Sequence, residues 1–93
     1  MIQSFKDKEV EKIFERMGSK KIPQSIQRIA LRKLVMIHAA VDINDLRVPP
    51  GNRLEKLKGE RGDQHSIRIN DQWRICFRWR EGNAYDLEIV DYH

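Results

Sequence analysis

His65-Ser66-Ile67-Arg68-Ile69-Asn70-Asp71-Gln72-Trp73-Arg74-Ile75-Cys76-Phe77-Arg78-Trp79 reads as two strands joined by a polar turn. From Trp73 to Trp79 an apolar residue takes every second position, with Arg74, Cys76 and Arg78 between, as in a strand that lays one face on a core. His65 to Ile69 repeats the pattern with Ile67 and Ile69 inward and Arg68 outward, and Asn70-Asp71 supplies residues that tolerate turn conformations. After a second turn at Glu81-Gly82-Asn83, the run Tyr85-Asp86-Leu87-Glu88-Ile89-Val90 alternates again, with Leu87 and Ile89 on the core face. A plain antiparallel meander follows. One of its faces is apolar, and the other carries Arg68, Arg74, Arg78, Val90 and Tyr92. The chain closes on Asp91-Tyr92-His93.

Working outward, the half before this sheet is helical. Ile2 to Ser4 forms a short edge strand or a tether. Ser4 and Asp7 make a capping box, and Val10, Ile13, Phe14 and Met17 fall at helical spacing before Gly18, a C-terminal stop. Pro23 suits the first turn of a second helix that runs to about Ala40, with Ile26, Ile29, Ala30, Leu34, Ile37 and Val41 inward. Arg28, Arg32 and Lys33 face outward, either as solvated charges or as a surface for an acidic partner. His38 is a helix-surface or boundary histidine. Asp42 to Asn52 contains Pro49-Pro50-Gly51, which continues neither a helix nor a central strand. The stretch Arg53-Leu54-Glu55-Lys56-Leu57-Lys58-Gly59-Glu60-Arg61-Gly62 is a basic surface loop, or a short strand leading into one, anchored by its leucines.

Ninety-three residues make a single domain, spanning 1–93, that buries about 60 to 65% of its unfolded surface. Hydrophobic residues at 40% and charged residues at 34% argue for a soluble globular chain. No apolar run reaches the roughly 18 residues of a membrane span, and the N-terminus has no signal-peptide core, so no membrane association and a cytoplasmic location are expected. Cys76 is the sole cysteine, which excludes an intrachain disulfide and a cysteine-based metal cluster. A net charge of +4 favours an anionic partner without choosing among nucleic acid, acidic protein and lipid.

Phosphate loops of the GxxxxGK[ST] or GxGxxG type, HExxH zinc motifs and GxSxG elbows are all missing from the sequence, and His38, His65 and His93 lack metal-ligand spacing, so neither metal nor cofactor is expected. An acid/base set beside cations remains. Cleaving RNA through its own 2′-hydroxyl needs a group to take that proton, a cation for the charge growing on the phosphate, and an acid for the departing 5′ oxygen. Arg74 and Arg68 supply positive charge in a rigid fork. Asp91, Tyr92 and His93 are either a polar tail or a carboxylate, a phenol and an imidazole gathered for that chemistry.

The run Leu57-Lys58-Gly59, the span Ser66 to Phe77 with its Asn-x-x-Trp-Arg, and the ending Ile89-Val90-Asp91-Tyr92-His93 together resemble the HigB branch of the RelE-type bacterial toxins, and Met1-Ile2-Gln3-Ser4-Phe5 before a helix is similar too. The resemblance covers essentially the whole chain. It implies an α+β fold, two N-terminal helices packed on a small, mostly antiparallel β-sheet. It implies ribosome-dependent, metal-independent cleavage of messenger RNA that halts translation and growth. It also implies neutralisation by a cognate helix-turn-helix antitoxin of HigA type, through which the complex binds operator DNA. Carried over by position, Arg74 stabilises the scissile phosphate and Asp91, Tyr92 and His93 form the C-terminal catalytic group. Glu55 stands where some members have a histidine, which opens the division of roles between Glu55 and His93; His65 is either a compensating group or a structural histidine. Arg53, Lys56, Lys58 and Arg61, with Arg68 and Arg78, are the expected RNA and ribosome contacts. The competing reading is a non-catalytic basic module, a degenerate toxin whose arginine face docks RNA or protein without cutting it.

Overall fold

Four antiparallel strands in the order β1-β2-β3-β4 make the sheet of the computed structural model, which describes residues 1–59 and 62–91. The strands are β1 (Glu55–Lys56), β2 (Gln64–Arg68), β3 (Trp73–Arg80) and β4 (Asn83–Asp91). Asn70 closes the β2–β3 turn, its side-chain oxygen accepting from the backbone of Gln72 at 2.9 Å and Trp73 at 2.8 Å. The β3–β4 hairpin turns on two residues, Glu81 at φ 49 and Gly82 at φ 79, the left-handed pair that matches strand twist. A side chain at position 82 would also press on the Val41 carbonyl, 3.2 Å from where its Cβ would stand.

The meander is not plain. Cys76 pairs with Glu88 and Arg78 with Tyr85, so Phe77 faces two residues and β4 carries a bulge. Asp86 takes the left-handed conformation there, at φ 54. Strict alternation from Leu87 would turn Tyr85 inward; with the extra residue, Ala84 is buried instead and Tyr85 lies under the Arg80 guanidinium at 5.1 Å. The N-terminal segment runs parallel to β4 through bridges Ile2 to Ala84 and Phe5 to Leu87, so it is an edge element and the sheet is mostly, not wholly, antiparallel.

Helices α1 (Lys8–Phe14) and α2 (Gln24–Ala39) cover one sheet face. Their buried residues Val10, Ile13, Ile26, Ala30, Leu34 and Ile37 meet Ile67, Ile75, Phe77, Ala84, Leu87 and Ile89 in one core. Helix α1 is shorter than its periodicity suggests. Ser4 bonds the Asp86 backbone at 2.9 Å, so Asp7 caps the helix alone. Arg16 then turns left-handed, and Met17 ends 70% exposed. Helix α2 stops at Ala39, and Val41 is 80% exposed, not inward, because Ala40 is already extended. His38 fits the boundary expectation, its Nδ1 accepting from the Ile2 backbone at 3.1 Å.

Lys33 departs further from expectation. Placed outward by the helical pattern, it is 6% exposed and its ammonium donates to the side-chain oxygen of Asn52. Asn52 is fully buried and donates in turn to the Leu46 carbonyl at 3.1 Å. Burial, with Arg32 and Arg68 nearby, lowers the Lys33 pKa from the ordinary 10.5.

Candidate functional site

The second sheet face carries the arginines as its alternation requires, but Ser66, Arg74 and Cys76 on it are buried. Arg74 sits on β3 across from Arg68 on β2, and its guanidinium is held on three acceptors. Nε donates to the Ser66 hydroxyl at 2.9 Å, and Nη2 donates to the Ser66 carbonyl at 3.3 Å and the Arg53 carbonyl at 2.6 Å. The Arg53 carbonyl reaches that point because Arg53 turns left-handed at φ 45 directly after the short helical turn Pro50–Asn52, which Lys33 pins through Asn52. Local backbone and a buried lysine therefore fix where the arginine fork lies.

Glu55 on β1 brings Oε1 to 3.7 Å from Nη1 of Arg74; the carboxylate is half exposed and the guanidinium 8% exposed. Together Arg53, Glu55, Arg68, Asn70, Asp71 and Arg74 line a cleft of about 390 Å³. Its floor is a positive charge with little water around it, and its rim is a carboxylate open to solvent. A guanidinium so placed acts on an anion more strongly than one in bulk water, since its donors are pre-oriented and the local dielectric is lower.

The structure thus brings four of the expected residues into one place: Arg53, Glu55, Arg68 and Arg74. Arg68 is also paired with Asp71 across the turn. Arg78 is not in the cleft. It is held by the carboxylates of Asp63 and Asp86, the latter at 3.1 Å from Nε, and braces the bulge. Lys56 and Lys58 are exposed, on β1 and just beyond it. Asp91 pairs in register with Trp73 and accepts from Gln72 Nε2 at 3.1 Å, one residue past Val90, which is the partner of Arg74. Tyr92, His93 and Arg61 lie outside the described residues.

His65 is on the other face. It is half-buried and stacks on Phe77 at 6.3 Å, and its Nδ1 has no partner among the described residues. Burial, with Lys56 and Arg47 adding like charge, lowers its pKa from the ordinary 6.5, so the ring is neutral near neutral pH. It is not among the residues that line the Arg74 cleft. Sequence reasoning overlooked Ser66 and the Arg53 carbonyl. Ser66 was accessible to it, since it alternates with Arg68 on the same strand; the carbonyl and the Lys33–Asn52 link leave no signature in the sequence. Among the described residues no group of histidine, cysteine and carboxylate side chains is placed to hold a metal ion.

A family model described as the RelE-like toxin of type II toxin-antitoxin system HigB matches residues 3–93. Toxin HigB-1 of Vibrio cholerae is 44% identical over 90 residues, covering 96% of this chain and 95% of its own length. Endoribonuclease HigB of Proteus vulgaris is 38% identical over 94 residues and the whole of both chains. An uncharacterized Haemophilus influenzae protein is 39% identical over 69 residues, 74% of this chain and 68% of its own. With the two helices, the antiparallel sheet and a match that runs almost end to end, the chain belongs to the HigB family of RelE-like toxins of type II toxin-antitoxin systems.

Proposed function

We propose that this toxin is an endoribonuclease that cuts messenger RNA on the ribosome without a metal ion, with Arg74 as the group that binds the scissile phosphate. The observation that carries this reading is a buried guanidinium, fixed by Ser66 and Arg53, at the floor of an open cleft with a half-exposed carboxylate on its rim. In the step itself the 2′-hydroxyl oxygen bonds to phosphorus and the bond from phosphorus to the 5′ oxygen breaks, leaving a cyclic phosphate and a free 5′-hydroxyl. One proton leaves the 2′-hydroxyl and another reaches the 5′ oxygen. Glu55 and His93 share those transfers, and Tyr92 and Asp91 contact the nucleotides. Arg74 meets the charge that grows on the phosphate oxygens.

The open form of the cleft supports the reading that the ribosome takes part. Lys56 and Lys58 are exposed and lie outside its lining, and we assign them to the backbone of a large RNA. Positioning of the codon then comes from the ribosome, and correct placement supplies much of the acceleration in such reactions. Neutralisation is by a helix-turn-helix antitoxin that also carries the pair to operator DNA.

Mapping 5′ ends of messenger RNA after induction tests the reading. Cuts inside translated codons are expected for the native chain, and loss of about 100-fold or more for Arg74→Ala, the usual effect of removing a transition-state donor. Removal of His93 is expected to abolish cutting while the thermal melt persists. Programmed ribosomes left uncut by the native protein would overturn the proposal, as would a folded Arg74→Ala chain that cuts at the native rate.

A further inference from the structure

Helix α2 carries a further apolar strip, partly exposed, beside the one it buries in the core. On its outer side Val35 and Ala39, with Leu31, which also packs against the core, line a groove of about 620 Å³ together with Arg16, Arg28 and Arg32. Val35 is 41% exposed. The rim is electrostatically unfinished. Arg68, Arg74 and Arg78 each have a carboxylate, whereas Arg16, Arg28 and Arg32 have no carboxylate partner among the described residues. Arg28 and Arg32 also stand four residues apart on one helix, where like charges repel.

We propose that this groove is the docking site of the antitoxin, filled by an amphipathic segment that sets aliphatic side chains on Val35 and Ala39 and carboxylates on Arg16, Arg28 and Arg32. The family assignment supplies a protein antitoxin, and the groove states what that partner must bring. Its aliphatic floor suits RNA poorly. It has no aromatic ring to stack a base, and a phosphate backbone bound at the rim would leave the floor wet. Arginines around a desolvated apolar centre are instead the composition of a protein interface whose energy concentrates in a few residues. The groove shares no lining residue with the Arg74 cleft, so its loss is separable from loss of cleavage.

The test uses the full-length toxin and the antitoxin of its own operon, both purified, in a binding titration. Val35→Glu and the double variant Arg28→Glu/Arg32→Glu are each expected to weaken binding by about 30-fold or more, the scale of a central interface contact. Both are expected to keep the thermal melt and the ability to cut messenger RNA, so cells expressing them arrest even with antitoxin present. Lysine substitutions at the antitoxin's acidic positions are expected to restore binding to the double variant. Because those residues are exposed, Arg28→Ala/Arg32→Ala serves as a milder pair should Val35→Glu fail to fold. Native affinity in the charge-reversed toxin would overturn the assignment. So would loss of RNA cleavage with antitoxin binding intact, which would make the groove an RNA contact.

Discussion

Arg74 and His65 show how two residues from neighbouring strands are put to different uses by the side of the sheet they occupy. Arg74 faces Ser66 and Arg53, which hold its guanidinium at the cleft. His65 faces Phe77 and loses its charge to burial. That loss has a consequence for stability. A histidine whose folded pKa lies below 6.5 binds a proton in the unfolded chain before it does so in the folded one, so stability falls as pH drops below 6.5 toward the lowered value. His65→Phe keeps the ring stack and removes the titration. Urea melts of the variant are expected to show a flatter dependence on pH than the native chain across that window, and parallel curves would refute the assignment. From the sequence Arg74 and Arg68 were legible as neighbours on one face, since alternation alone puts them there. The acceptors that orient Arg74 were not, because two of the three are backbone carbonyls and a carbonyl has no letter of its own.

At the level of elements, the bulge in β4 and the buried lysine of α2 decide the geometry. Asp86 holds the left-handed conformation at the bulge, and its carboxylate accepts from Arg78 at 3.1 Å and from Ser4 at 3.4 Å. Asp86→Ala loses both partners and keeps the strained backbone, so a cost of about 2–3 kcal/mol is expected. Asp86→Gly relieves the strain and should lose less, and Asp86→Asn least; denaturant midpoints give the order directly. For Lys33 the sign runs toward alkaline pH. With a folded pKa below 10.5, the unfolded chain binds the extra proton, and stability rises with pH through the window up to 10.5. Asn52→Ala withdraws the acceptor of a buried ammonium and is expected to cost about 1.5–3 kcal/mol at pH 7, the range for hydrogen bonds to charged groups. That cost should shrink as pH approaches 10.5 and the amine becomes neutral. A pH-independent cost would place the role of Asn52 in the Leu46 bond alone.

At the scale of the whole molecule, positive charge recurs on several separate surfaces. Of the chain's 18 lysines and arginines, three line the Arg74 cleft, two are the exposed Lys56 and Lys58 of the β1 region, and three rim the α2 groove. The lysines belong to the proposed RNA contact, and Lys56→Ala/Lys58→Ala is expected to weaken ribosome association and to reduce its log-log salt slope by about two, one per lost phosphate contact. An unchanged slope would remove them from the interface. What the sequence determined alone is the class of fold and the face on which Arg68 and Arg74 lie, because alternation and helical spacing are local properties set by a few neighbouring residues. What only the tertiary structure decided is where Glu55 and the Arg53 carbonyl meet Arg74, that Arg78 braces a bulge, and that Lys33 turns inward to Asn52. Those contacts join segments that are distant along the chain, and their positions depend on a bulge, a left-handed turn and a buried hydrogen bond, none of which leaves a periodic trace.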